Sequence, residues 1–320
     1  MFRFLFLLTL ASGSPALYAS ELFSVAGPVA VTLEGPLKKL SSRRKNELPF
    51  MIEVDGERLA LQVRKRGNSR LALCRFPPLR LRFTDEPDEA TIFRGQDKLK
   101  LVTHCQDNHA SKTNLLEEYA AYRILNELTP FSYRVQLLNI TYVDTTNGKK
   151  MMRQGFLIES SEQLARRTGS DEAEVTALSL SSLDTTQIMS VYVFQYLIGN
   201  TDFSLVTATG KEHCCHNADL FRQDGKLFYV PYDFDLSGLV NGKYARPDRK
   251  LRLKRVTQRR YRGYCGPEEA ITSALDTVFA KQGAIEDTIS FDSTRASGFL
   301  ARFFATDREV LLSEFATWCR

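Results

Sequence analysis

Leu197-Ile-Gly-Asn-Thr-Asp202, His216-Asn-Ala-Asp-Leu-Phe221 and Val230-Pro-Tyr-Asp-Phe-Asp-Leu-Ser-Gly238 share one pattern: a carboxylate or carboxamide stands where an apolar run stops and a loop opens. Placing such groups beside Phe228, Val230 and Phe234 is costly unless a cation or strong hydrogen bonds compensate. A magnesium ion does so with one or two carboxylates plus phosphate oxygens. Asp202, Asn217 and Asp233 also follow one another in the order that phosphoryl transfer uses. One carboxylate lies near the attacking hydroxyl, one carboxamide on a metal, and a second carboxylate between metal and phosphates. Taken singly, each is equally a helix cap or turn former; the ordered series points to chemistry.

Outward from this region the chain divides by periodicity. Residues 49–54, 59–65 and 79–83 place apolar side chains at every second position, and Asp55-Gly56 between the first two is a hairpin turn. Residues 98–103, 134–143 and 151–159 continue the strands, with Asn147-Gly148 turning the last pair. One helix, residues 114–129, interrupts them at helical spacing. Beyond Glu159 the character changes: helices are expected over 162–167, 184–197, 270–282 and 294–319. The expected fold is therefore α+β, with an antiparallel sheet in residues 20–160 and a helical part in 161–320 that carries the metal and phosphate site.

The chain has 320 residues, 43% hydrophobic and 25% charged, enough for a large core. It opens with Arg3 and an apolar run, followed by Gly13, Pro15 and Leu17-Tyr18-Ala19, the pattern of a signal peptide cleaved near Ala19. That run is shorter than the roughly 20 residues needed to span a bilayer. The expectation is a secreted or periplasmic protein without a transmembrane segment in its mature form. The net charge of +5 owes much to a cluster at 246–262, and export argues against nucleic acid as a partner. Six cysteines (74, 105, 214, 215, 265 and 319) fit disulfides in an oxidising compartment. Their pairing is open, and zinc at His213-Cys-Cys-His216 is the competing reading.

Several motifs resemble the CotH family of secreted protein-kinase-like proteins. They are Val63-Arg-Lys-Arg-Gly-Asn-Ser-Arg70, Pro78-Leu-Arg-Leu-Arg-Phe83, Lys98-Leu-Lys-Leu101, Gly155-Phe-Leu-Ile-Glu159, Gly199-Asn-Thr-Asp202, His216-Asn217 and Pro231-Tyr-Asp-Phe-Asp235, in that order. The resemblance spans about Val63 to Gly238. It implies a two-lobed protein-kinase-like fold that transfers phosphate from ATP, with Mg2+ or Mn2+, to a hydroxyl on a protein or glycan. It makes Asp202 similar to the catalytic-loop aspartate, and Asn217 and Asp233 to metal ligands, with Asp235 as a second ligand or loop support. Glu159 resembles the hinge that meets adenine.

Such an enzyme needs a cation for the phosphates and a helical glutamate to hold it. Glu117 and Glu118 are the candidates for the glutamate. The family's lysine has no counterpart in Phe76-Pro-Pro-Leu-Arg80, so Arg80, Lys98 and Lys100 are alternatives, and the exchange of lysine for arginine is not neutral. Arg66-Gly-Asn-Ser-Arg70 offers backbone amides and two arginines to phosphate, and is also a good hairpin turn. The missing lysine leaves open a second reading, an inactive nucleotide-binding or structural protein of an envelope or coat.

Overall fold

The computed structural model describes residues 21–40, 46–67, 69–205, 214–289 and 293–319. The expected signal peptide, and His213 of the zinc reading, lie outside these residues.

Seven strands close into a barrel: β1 (Val29–Gly35), β2 (Leu48–Val54), β3 (Glu57–Lys65), β4 (Leu79–Phe83), β5 (Lys98–Val102), β6 (Val135–Asp144) and β7 (Lys150–Ile158). Their order is β1-β2-β3-β4-β5-β7-β6, and β6 returns to β1. This overturns the expected two-lobed protein-kinase-like fold with an antiparallel-sheet first lobe. The sheet is mixed and closed, because β1 pairs antiparallel with β2 on one side and parallel with β6 on the other. Residues 49–54, the first strand expected from periodicity, are preceded in the barrel by β1, whose burial alternates along Val29–Gly35.

Alternation explains the barrel's interior. Leu61 and Val63, Leu79 and Leu81, and Leu99 and Leu101 point inward and are almost wholly buried, with Ile52, Leu138, Tyr142 and Leu157 filling the remainder. Each such side chain stabilises the fold by roughly 1.5–3 kcal/mol through burial. On β4 and β5 the alternate positions are Arg80, Arg82, Lys98 and Lys100, so the basic residues belong to the outer face.

Two short helices, α1 (Leu37–Leu40) and α2 (Ser69–Leu73), interrupt the barrel strands, and α3 (His109–Leu128) lies between β5 and β6. Asn108 caps α3 by accepting the Ser111 N–H, so the helix begins five residues before the expected start at 114. Then follow α4 (Ser161–Thr168), β8 (Asp171–Ala173), α5 (Thr185–Leu197), β9 (Ala218–Gln223) and β10 (Lys226–Pro231). The chain finishes with α6 (Glu268–Ala280), α7 (Gln282–Asp287), α8 (Thr294–Phe304) and α9 (Arg308–Trp318). β8, β9 and β10 form a small antiparallel sheet. Helix α5 is buried nearly all round and packs with α3, the small sheet and the C-terminal helices into a second core. Among the described residues, no helix is long and apolar enough to cross a membrane.

Disulfides join Cys74 to Cys105, Cys214 to Cys215 and Cys265 to Cys319. The first ties the end of α2 to the segment after β5, and the last fastens the loop before α6 to the end of α9. These pairings, with no membrane-crossing helix among the described residues, are compatible with secretion.

Candidate functional site

The site is assembled by a hairpin. β9 and β10 pair in register from Ala218 opposite Pro231 to Gln223 opposite Lys226, turning at Asp224-Gly225, both with positive φ. The open end of that hairpin sets Asn217 beside Tyr232, whose N–H donates to the Asn217 carbonyl at 3.0 Å. Asn217 and Asp233 thus leave neighbouring strand ends, and both have left-handed backbones, φ +54 and +64. Non-glycine residues held this way cluster at functional sites.

Asp202 is brought to the same place from the end of α5. Gly199, with φ +64, ends the helix; Asn200 Oδ1 then accepts the Asp202 N–H at 3.0 Å. The Asn217 carboxamide donates to the backbone carbonyl and to Oδ2 of Asp202, at 2.8 and 2.9 Å, and His216 Nε2 lies 3.1 Å from Oδ1. Arg262 braces this loop through the carbonyls of Thr201 and Phe203. The Asp202 side chain remains 37% exposed, open to a reacting group.

The acidic centre is organised by Arg70. Its guanidinium donates from Nε to Asp235 Oδ2 at 2.9 Å, and from Nη2 to Glu118 Oε1 at 2.8 Å and Asp233 Oδ1 at 3.0 Å. Only 12% of the Arg70 side chain is exposed, against 5% for Glu118 and 8% for Asp235, while Asp233 is 48% exposed. Tyr244 donates to Asp235 at 2.9 Å, and Tyr122 accepts the Asp233 N–H at 3.0 Å.

Arg70 is deeply buried, yet its three carboxylate partners raise its pKa well above the ordinary arginine value. Burial, with the neighbouring Asp235 and Asp233 charges, raises Glu118 to about 7 despite Arg70. The same competition raises Asp235. Arg70 is thus shared among three carboxylates, and Arg66 adds its charge opposite Asp233 and Glu118.

A small cavity of about 40 Å³ opens onto this network, walled by Arg66, Arg70, Lys100, Tyr133, Tyr232 and Asp233 among others. Burial lowers the Arg66 pKa, opposed by Asp233. Lys100 lies 5.6 Å from the ring centre of Tyr133 and 5.3 Å from that of Tyr232. Burial lowers its pKa too, against the charge of Asp219, to which Tyr133 donates a short hydrogen bond.

Arg66, Lys100 and Asp233 therefore meet at the cavity, Asp235 joins them through Arg70, and Asp202 and Asn217 pair with each other at the hairpin end that leads to Asp233. Arg80 stands opposite Lys100 in the β4–β5 register, close enough for its charge to lower the Lys100 pKa, but does not line the cavity. Lys98 is half exposed and pairs with Asp97. Of the adjacent glutamates, Glu118 enters the network. Glu117 turns to the C-terminal helices, accepting from Ser293 at 2.7 Å and from Arg295. Neither is a solvated helix charge, at 0% and 3% exposed. Glu159 is fully engaged: Arg167 donates to both its oxygens, at 3.0 and 2.9 Å, and it accepts the Arg134 N–H at 3.0 Å. Its side chain clamps α4 to the barrel.

In the sequence Arg70 stands only as a flank of the glycine motif, because its partners lie 48 to 165 residues away. The usable signal was Asp224-Gly225, whose hairpin brings residues 217 and 233 together.

Among the described residues no group of three or more His, Cys, Asp or Glu is arranged as a metal cage. The donor set nonetheless fits magnesium, which retains waters and takes few protein ligands. Asp233 gives one oxygen to Arg70 and is half exposed, and the Asn217 amide that binds Asp202 leaves its carboxamide oxygen as an acceptor. No family model matches the chain, and no curated protein matches it in sequence.

Proposed function

We propose that the chain is an exported phosphotransferase, secreted or periplasmic, that moves phosphate from ATP to a hydroxyl group of a protein or glycan. The observation that carries this reading is that Asp202 and Asn217, hydrogen-bonded to each other, stand at the hairpin end that leads to Asp233, which Arg70 holds at a cavity walled also by Arg66 and Lys100. The ordered motifs that resemble the CotH family support the same assignment.

Asp202, oriented by Asn217 and His216, positions the acceptor hydroxyl and takes its proton. Arg66 and Lys100 bind phosphate oxygens at the mouth of the cavity, which is itself too small for a nucleotide. Asp233 and the Asn217 carboxamide oxygen would hold Mg2+ or Mn2+, whose chemistry there would be neutralisation of phosphate charge. Arg70 holds Glu118, Asp233 and Asp235 in place before any ligand arrives.

The Arg70 network also favours a second reading, a nucleotide-binding or structural protein without catalysis. Arg70 already neutralises part of the charge on the carboxylates that would attract a metal ion. Thermal unfolding with ATP and magnesium tests the nucleotide site: the melting temperature should rise in wild type and not in Asp233→Ala. No rise with any nucleotide sinks both nucleotide readings. Incorporation of labelled phosphate by wild type, absent in Asp202→Ala, separates transfer from binding alone.

A further inference from the structure

The fold divides the basic cluster after β10 into two sets. Half of residues 243–262 are Lys or Arg, and Asp248 is the one acid between Asp235 and Glu268. The later arginines serve the interior. Arg259 donates to the carbonyls of Leu197 and Phe299, Arg260 stacks on Trp318 at 3.6 Å from the ring centre, and Arg262 holds the carbonyls of Thr201 and Phe203.

The earlier cations do not. Arg246, Arg249, Lys250, Arg252, Lys254 and Arg255 are all exposed, and none has a carboxylate partner among the described residues. Asp248 is occupied by the local turn, accepting the Lys250 N–H at 2.9 Å. Six like charges within ten residues repel one another and create a strong local positive potential, which an acidic partner relieves.

The anchors of this segment place it beside the candidate site. Just before it, Tyr244 donates to Asp235 at 2.9 Å. Just after it, Val256 is buried, with its carbonyl packed closely against Gly238. Arg259 and Arg262 then grip Leu197 and Thr201, on either side of the turn that leads to Asp202. The six cations are thus strung between contacts with the two loops that carry Asp235 and Asp202. Half-exposed Leu251 and Leu253 alternate with them, offering apolar contacts that amino-acid side chains fill better than a hydrated polysaccharide.

We propose that residues 246–255 dock an acidic polypeptide segment, which, resting on the phosphotransferase reading, belongs to the phosphate acceptor and brings its hydroxyl to Asp202. Charge complementarity supplies the attraction and the two leucines favour a polypeptide over a glycan.

Fluorescence anisotropy of the mature chain with a labelled peptide, one serine among glutamates and leucines, reads docking without any need for catalysis. The peptide should bind more tightly than its glutamine counterpart and should be released as salt rises from about 0.05 to about 0.5 M. Lys250→Glu with Lys254→Glu should weaken it about tenfold at an unchanged melting temperature. Lys149→Glu with Lys150→Glu, exposed at the β6–β7 turn, makes the same change in net charge and should leave binding intact. In phosphate transfer to the same peptide, the first pair should raise KM with kcat unchanged. Binding by a chain that transfers no phosphate removes the enzyme reading and keeps the docking surface. Equal transfer to the glutamate and glutamine peptides keeps the enzyme reading and removes the docking surface. No binding of the peptide, an equal loss in the Lys149 and Lys150 variant, or tighter binding of an oligogalacturonate with as many carboxylates or of phosphatidylglycerol vesicles also overturns the proposal.

Discussion

Gly238 donates its backbone N–H to the carbonyl of Gly199 at 3.0 Å, and the adjacent Leu239 N–H reaches Ile198 at 2.9 Å. These two contacts lay the loop after α5 against the loop after β10, so that Asp202 and Asp235 belong to one site. The contact is tight: a Cβ on Gly238 would meet the Val256 carbonyl oxygen at 2.7 Å and Phe299 at 2.9 Å. Gly238→Ala should therefore destabilise the protein by about 1–3 kcal/mol in urea denaturation. Gly283→Ala, where a Cβ meets nothing within 4 Å, is the matched control and should be neutral or slightly stabilising.

Arg70→Met removes the one cation shared by Glu118, Asp233 and Asp235. Stranding buried carboxylates costs about 3–5 kcal/mol. The loss should shrink markedly in the Arg70→Met, Glu118→Gln double variant, because the most buried of the charges is then gone. An unchanged loss in the double variant would show that packing, not charge, explains the effect.

Stability should fall as pH rises from about 4.5 to about 7, partly through Glu117, whose pKa burial raises from 4.5 to about 7. An acid with a higher pKa in the folded state binds more protons there, so its contribution is complete below the unfolded value and lost as pH passes the folded value. Glu118 acts in the same direction. Glu117→Gln should flatten this dependence by on the order of 2 kcal/mol. Urea midpoints at the two ends of the window, for wild type and variant, provide the check.

Removing the Cys74–Cys105 bridge, which spans 31 residues, should cost about 2–4 kcal/mol. Its particular consequence is for α2, because the Cys74 N–H donates to the Arg70 carbonyl at 2.9 Å. The double Cys74→Ser, Cys105→Ser variant should therefore show a smaller ATP-induced rise in melting temperature than wild type. A full shift would show that α2 keeps Arg70 in place unaided.

Asp202→Asn keeps the shape of the loop while removing its base, and should lower phosphate transfer about 10²- to 10⁴-fold with little change in nucleotide binding. Equal loss of both would instead make Asp202 a structural partner of Asn217.

Most barrel strands were legible because one face is buried and alternation is strict, as in Leu79-Arg-Leu-Arg-Phe83. Closure was not, since nothing in Val29-Ala-Val-Thr-Leu33 names β6 as its parallel partner. The placement of Asp202, Asn217 and Asp233 next to the ends of α5, β9 and β10 was readable from where the apolar runs stop. Glu117 and Glu118 could not be told apart, because neighbours on a helix differ by about 100° in direction and only the tertiary packing, which buries both, decides which one meets Arg70. Arg70 was hidden for a similar reason: its own segment reads as a turn, and its three partners come from α3 and the loop after β10.

The parallel seam between β1 and β6 has a kinetic meaning. Val29 meets Leu138, so closing the barrel joins segments on the order of a hundred residues apart, a long-range pairing of the kind that slows folding. During synthesis β1 must wait, unpaired on that side, until β6 has emerged. Premature pairing of β1 is therefore the hazard most particular to this topology, and the step at which a chaperone would help most.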